Sequence, residues 1–350
     1  MRGIPLRPHP APAQPLLLEA PLPDPMAVTL SDLVGRIATF AVDAHTGQLT
    51  QQGAPVPTAP LTEQSAATAS FLFVFNGYVG GGTSYNNVQG PPPSLMEYAL
   101  DPASGLPTLV RTPLTFAVEN SLFGMALSPD QRYLYVLSGD PWNNTPVWPT
   151  ITAYAIDPGT GTLTAGMSTT VEVNSNSIAI DPQGRFLYLE TSGDFNPTGP
   201  AAATISLYSI DPSTGALTAV GSGTSVATNG GPIVIDPSGH YLYALNSLNA
   251  GPTQDTIQAL SMDQSTGALS SMGQIIQTDG PGMDLVFDPS STFLYLVTAT
   301  QANGNGQATG TALSTFTLSS ATGSAGQLVP SGAPQQLPTG IGGWSIAIVE

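Results

Sequence analysis

One short phrase recurs six times along this chain and limits its fold more than any other feature. Ala-Val-Asp-Ala-His-Thr-Gly starts at Ala41, Ala-Leu-Asp-Pro-Ala-Ser-Gly at Ala99 and Ala-Ile-Asp-Pro-Gly-Thr-Gly at Ala155, and weaker copies start at Ser209, Ser261 and Leu318. The closing glycines, Gly47, Gly105, Gly161, Gly215, Gly267 and Gly323, lie 52 to 58 residues apart. A repeat of this length is one supersecondary unit that must stack on its neighbours to bury its apolar faces, and the period suits a four-stranded propeller blade with long loops.

Two hairpins alternate within each repeat. In the first, Ser177-Ile-Ala-Ile-Asp-Pro-Gln-Gly-Arg-Phe-Leu-Tyr-Leu189, two apolar strands flank an Asp-Pro-x-Gly turn, and Pro129, Pro182, Pro237 and Pro289 mark the equivalent turns. In the second, around Asp211-Pro-Ser-Thr-Gly215, the Asp side chain accepts backbone amides and the glycine takes a positive φ. The strands of each unit are lettered A to D from the inner channel outward. Strands B carry aromatics around a leucine (Tyr133-Leu-Tyr135, Phe186-Leu-Tyr188, Tyr241-Leu-Tyr243, Phe293-Leu-Tyr295), which makes both faces apolar, as a sheet between two other sheets requires.

Complete units start near residues 66, 124, 177, 232 and 284. The chain ends on Trp344-Ser-Ile-Ala-Ile-Val-Glu350, which reads as a strand A without its B to D partners. Near the start, Met26 to Ser31 reads as strand B, Arg36 to Asp43 as strand C and Gln48 to Val56 as strand D. The expected fold is therefore a single all-β propeller over residues 26–350, with six countable blades closed by pairing of the C-terminal strand with the N-terminal ones. Residues 1–25, with prolines at 5, 8, 10, 12, 15, 21, 23 and 25, read as an extended tail.

The phrases around Ser177 and Tyr208 resemble the bacterial lactonase-like β-propellers, which include 6-phosphogluconolactonase and a muconate-cycloisomerising branch. The resemblance covers about residues 26–350. It implies a seven-bladed ring, which is the alternative to the six counted here, and a lactone hydrolase activity. The phrases that carry it lie in turns and core strands, and the catalytic Arg, His and Glu of the family match no positions here.

Composition narrows the partners. With six arginines, no lysine and a formal charge of -17, the chain cannot neutralise a run of phosphates or hold an anionic membrane surface, so nucleic acid and membrane insertion are not expected. Charged residues make up only 8%, which points to an extracytoplasmic, periplasmic or secreted setting, although residues 1–25 show no signal peptide. The absence of cysteine removes disulfides and thiolate chemistry from consideration.

The long B-to-C loops and the D-to-A crossovers share one face of such a disc, and long loops on a rigid scaffold are where recognition is usually placed. The crossovers bring Glu119, Asn120, Asn174, Asn176, Asn229, Asp279 and Asp284 to the channel mouth, where carboxylates and amides suit Ca²⁺ or Mg²⁺ or the hydroxyls of a neutral sugar. Trp142 and Trp148 offer stacking surfaces. Arg36 is the arginine expected near this face, whereas Arg132, Arg185 and His240 fall in A-to-B turns on the other. The leading expectation is a monomeric, non-catalytic module that binds a small neutral molecule, a sugar or a protein and requires no cofactor. The alternative is a lactone hydrolase that uses an Asp- or Glu-activated water.

Overall fold

The structure, a computed structural model, describes residues 15–20, 35–42, 49–58, 62–76, 93–111, 113–116, 121–139, 148–192, 203–226, 230–246, 255–280, 282–288, 292–301, 308–336 and 345–348. Every regular element among them is a β-strand, and no helix there is long and apolar enough to cross a membrane.

The chain opens with β1 (Pro15–Ala20), β2 (Arg36–Val42) and β3 (Leu49–Pro57). A second sheet follows with β4 (Thr62–Ala67), β5 (Phe71–Asn76), β6 (Ser94–Leu100), β7 (Pro107–Leu109) and β8 (Leu114–Thr115), where β7 and β8 both pair with β6. The third sheet is β9 (Ser121–Leu127), β10 (Tyr133–Gly139), β11 (Thr150–Ile156) and β12 (Leu163–Thr170). The fourth is β13 (Ser175–Ile180), β14 (Phe186–Thr191), β15 (Ala203–Ile210) and β16 (Leu217–Val226). The fifth is β17 (Ile233–Ile235), β18 (Tyr241–Asn246), β19 (Thr256–Met262) and β20 (Leu269–Gln277). The sixth is β21 (Gly282–Phe287), β22 (Phe293–Gln301), β23 (Ala308–Leu318), β24 (Leu328–Pro330) and β25 (Gln335–Gln336). The last strand, β26 (Ser345–Ile348), returns to pair with β1, so the first sheet runs β26-β1-β2-β3.

Among the described residues, five antiparallel sheets are thus contiguous in sequence, each built on four strands with a short fifth added in the second and sixth, and the first sheet combines the two chain ends. The last sequence-distant pairing differs in detail from the sequence reading. The strand between β26 and β2 is β1, inside the segment read as a tail, with Leu16 opposite Ile348 and Phe40. Met26 to Ser31, assigned to that place from the sequence, lies outside the described residues. The physical reason is visible in residues 16–18: three consecutive leucines make the uninterrupted apolar run of a strand with a sheet on either face. Pro15 stands at the first strand position, where a missing N–H is tolerated.

Apolar side chains are buried between the sheets. One cluster joins Leu187 and Leu189 of the fourth sheet to Tyr135 and Leu137 of the third, another joins Ile205 and Tyr188 to Ile233 and Leu242 of the fifth, and a third joins Phe40 of the first to Phe293 and Tyr295 of the sixth. Burial of this kind, at about 25 cal/mol per Å² of apolar surface, is what favours stacked blades over isolated sheets.

The repeated phrase locks each sheet to its neighbour. Asp211 Oδ1 accepts the N–H groups of Ser213 and Thr214, and Gly215 sits at φ 72. The ring of Tyr133, from the preceding sheet, lies so close to Gly215 that a Cβ there would fall 2.9 Å from Cδ1. Tyr135 Oη then donates to the Gly215 carbonyl at 3.0 Å. Tyr188 repeats this on Gly267 at 2.8 Å and Tyr243 on Gly326 at 2.5 Å. The repeated Asp and Gly are therefore structural, as their turn chemistry suggested.

Candidate functional site

Antiparallel order places the A-to-B and C-to-D turns on one face and the B-to-C connections and D-to-A crossovers on the other. Where strand A starts, on the crossover face, the ladder is irregular. Ser175 pairs with Thr191 and Ser177 with Glu190, leaving Asn176 as an extra residue in β13. The register also shifts between Thr62 and Gln64 of β4 and between Gly282 and Asp284 of β21. A bulge of this type re-aims the side chain it carries, and such bulges are common beside functional sites.

In the fourth sheet the bulge meets a carboxylate. Glu190, the fifth residue of β14, is 1% exposed. Its counterparts in β5, β10, β18 and β22 are Phe75, Leu137, Leu245 and Val297, all buried and apolar, while β1 carries Glu19 at the matching register, opposite Ser345 and Ile37 as Glu190 is opposite Ser177 and Ile205. Asn176 Nδ2 donates to Glu190 Oε2 at 3.5 Å and also to Ser192 Oγ. The amide of Gly231, in the crossover towards β17, also donates to the Glu190 carboxylate. Glu190 Oε1 is buried and makes no hydrogen bond. Burial pushes the carboxyl up to about 7, against the opposing pull of the Asn176 and Gly231 donors. A carboxyl balanced near neutrality in this way is suited to taking up and returning a proton.

The backbone is shaped to this cluster. Gly230 has φ 110, a conformation that side-chain-bearing residues rarely adopt, and a methyl group there would collide with Ser192 Oγ and lie 2.8 Å from Asn176 Nδ2. Close by, Glu172 Oε2 accepts hydroxyl hydrogens from Thr191 at 3.4 Å and Ser206 at 3.3 Å. Asn176 is half-buried, while Glu190 and Ser192 are both buried.

Of the residues expected at the mouth, the structure joins only Asn176 to this cluster. Asn174 takes φ 63 in the crossover, and its carbonyl accepts the Ser192 N–H at 2.9 Å, a turn role that asparagine tolerates. Asp284 Oδ2 accepts the Ile346 N–H at 3.0 Å and Oδ1 the Leu285 N–H at 2.8 Å, so this carboxylate ties β21 to the final strand. Asp279 is exposed in the crossover between the fifth and sixth sheets. Arg36 is exposed at the start of β2, three sheets from Glu190 in the order of the chain, and Trp148 is 55% exposed beside β11. Glu119, Asn120, Asn229 and Trp142 lie outside the described residues. Among those described, no group of three or more His, Asp or Glu side chains gathers to hold a metal ion.

The A-to-B turns hold other polar groups. Arg185 pairs with Asp181 at 3.2 Å, and Ser238 Oγ lies 2.9 Å from His240 Nδ1. Arg111 is committed on the outer side, to Glu97 and to Thr162 Oγ1 at 2.6 Å. The aromatic-leucine-aromatic pattern that marks strands B ends at Tyr188, before Glu190. Two residues further on, Glu190 stands in a column that is apolar in β5, β10, β18 and β22, and that contrast is the available signal.

Comparison with known proteins bears on this geometry. The family model for lactonase, a 7-bladed β-propeller, matches residues 150–287 and 196–322, a span that contains the whole Glu190 cluster. No curated protein sequence matches the chain. The fold is similar to that of a protein from Bacteroides uniformis provisionally named a 6-phosphogluconolactonase, with a TM-score of 0.62, 15% identity, and 97% of this chain and 100% of that one covered. It is also similar to a periplasmic gluconolactonase from Pseudomonas aeruginosa, with a TM-score of 0.57, 16% identity, and 96% and 99% covered. At these identities the likeness is one of fold.

Proposed function

We propose that this chain, as a lactonase-like β-propeller, hydrolyses an uncharged lactone with Glu190 as the general base. The observation that carries the reading is a buried carboxyl lifted to about 7, with Oε2 held by Asn176 and Oε1 uncommitted, at a position where β5, β10, β18 and β22 carry apolar residues. In the first step the water oxygen bonds to the lactone carbonyl carbon while Glu190 Oε1 takes the departing proton. In the second, the ring C–O bond of the tetrahedral intermediate breaks and the released alkoxide takes that proton back, leaving an open-chain hydroxy acid. A base of this kind contributes about 10²–10⁴-fold to rate.

Charge supports the uncharged substrate. A phosphoryl group calls for arginine or lysine within hydrogen-bond reach, and the arginines described are either committed elsewhere or, like Arg36, three sheets away. The formal charge of -17 also repels an anionic ligand. The low content of charged residues, 8%, supports an extracytoplasmic site of action. The reaction as written needs no metal and no second subunit.

The test is an assay of purified protein on glucono-lactone, its 6-phosphate and a muconolactone, with and without chelator. Turnover of the unphosphorylated sugar lactone is expected, unaffected by chelation and reduced about 100-fold or more in Glu190→Gln. Binding of lactones without turnover would instead favour a non-catalytic module, and full activity in Glu190→Gln would remove Glu190 from the mechanism.

A further inference from the structure

We infer that Asn176 is a positioning residue for Glu190: from its place on the β13 bulge it holds Oε2 and leaves Oε1 as the oxygen that accepts the proton. The inference rests on the reading of Glu190 as a general base and goes further, because it assigns different tasks to the two carboxylate oxygens.

Two features of the backbone converge on this one amide. The register shift between Ser175 and Ser177 gives β13 an extra residue at Asn176, whose side chain reaches both Glu190 and Ser192 on β14. Gly230, at φ 110, brings the crossover backbone to a place where any Cβ would crowd Asn176 Nδ2 and Ser192 Oγ. Bulges at the same point of strand A recur in β4, β9 and β21, yet their extra residues are Glu63, Phe123 and Met283. Among the four sheets in which this bulge is described, the amide occurs in the one whose strand B carries a carboxylate. An amide N–H donates to an ionised carboxylate more strongly than to a neutral one, so the contact selects the basic form and fixes its orientation.

The groups facing Glu190 do not compete with this. Across the ladder lie Ser177 of β13 and Ile205 of β15, and over it lies the Gly230–Gly231 backbone, none of which titrates. Ser177 Oγ is engaged in accepting the Ile233 N–H at 3.1 Å. The carboxylate that reaches the neighbouring strands, Glu172, is engaged by the Thr191 and Ser206 hydroxyls.

The experiment follows the carboxyl directly, by NMR titration of protein labelled with carboxyl-¹³C glutamate, with the Glu190 signal assigned by its loss in Glu190→Gln. Loss of the donor in Asn176→Leu should raise the titration midpoint by about one unit, a tenfold gain in proton affinity. Asn176→Asp, nearly isosteric and therefore safe for the fold, adds a like charge and should raise it further. Asn176→Gln should restore part of the shift. In turnover, the acidic limb of the pH profile should move up with the same midpoint, with kcat reduced and KM unchanged. A midpoint that stays in place in folded Asn176→Leu and Asn176→Asp would overturn the inference. The two readings fail separately: a shifted midpoint in a protein that opens no lactone keeps the positioning role and removes the lactonase, whereas turnover lost in Glu190→Gln with a stationary midpoint does the reverse.

Discussion

The fourth and fifth sheets share one plan and part at one buried position. β14 runs Phe-Leu-Tyr-Leu-Glu-Thr and β18 Tyr-Leu-Tyr-Ala-Leu-Asn, and Glu190 and Leu245 hold the same place with 1% and 0% exposure. In each, a glycine from the next crossover closes over that residue. Gly231 donates its amide to Glu190, while Gly282 leaves so little room above Leu245 that a Cβ would fall 2.8 Å from Cδ1 and Cδ2. The same backbone thus accommodates a leucine by contact or a carboxylate by hydrogen bonding. A buried carboxyl is thus accommodated in this fold as a core substitution with local donors, without a change of architecture.

The sharpest way to break the comparison is to move the carboxylate. Where the fourth sheet has Asn176-Ser177, the fifth has Gly231-Pro232, so Leu245→Glu would bury a carboxyl without a side-chain amide. A loss of about 4 kcal/mol in urea unfolding above neutral pH is expected, the upper range for a single substitution. A variant as stable as wild type would show that the donors around Glu190 are dispensable.

A smaller effect comes from the titration of Glu190 itself. Its carboxyl sits at about 7 in the folded chain against an ordinary 4.5, so the folded state keeps a proton that the unfolded state has lost. The corresponding stability is fully present below about 4.5 and is lost as pH rises through about 7, on the order of 3 kcal/mol across the window. Glu190→Leu makes the fourth sheet like the fifth and should flatten that part of the curve of stability against pH. An unchanged slope in the variant would assign the titration to another group.

The comparison also shows what can be read from residues alone. Asp157-Pro-Gly-Thr-Gly161 and its copies prescribe their own turns, because the Asp oxygen, the positive φ and the close aromatic ring are all local or repeated demands. The blade period and the alternation of hairpins followed from them. Pro15–Ala20 was hidden because its short leucine run is set among prolines, and only pairing with β26 and β2, far along the chain, makes it a strand. The polar residues of the crossovers are the exposed-looking candidates, and two of those described, Asn174 and Asp284, serve the backbone. Glu190 lay in a strand whose pattern announced core. Its significance depends on an amide fourteen residues earlier and a glycine amide from the next blade, contacts that no local pattern reports.

The smallest effect separates the stability of this seam from its chemistry. Tyr188 Oη, on the same strand as Glu190, donates to the Gly267 carbonyl of the fifth sheet at 2.8 Å, as Tyr243 does to Gly326 of the sixth. In the second sheet the equivalent residue is Phe73, which has no hydroxyl, and Arg111 reaches the corresponding turn instead, donating to the Thr160 carbonyl at 2.5 Å. The seam can therefore be held by different donors, and removal of one hydroxyl should cost about 1 kcal/mol. Tyr188→Phe should accordingly lower the urea midpoint slightly at every pH while leaving the slope between about 4.5 and about 7 and the pH profile of turnover as they are in wild type. If Tyr188→Phe flattened that slope, the pH dependence would belong to the packing of the two sheets against each other, and the contrast between Glu190 and Leu245 would lose its chemical meaning.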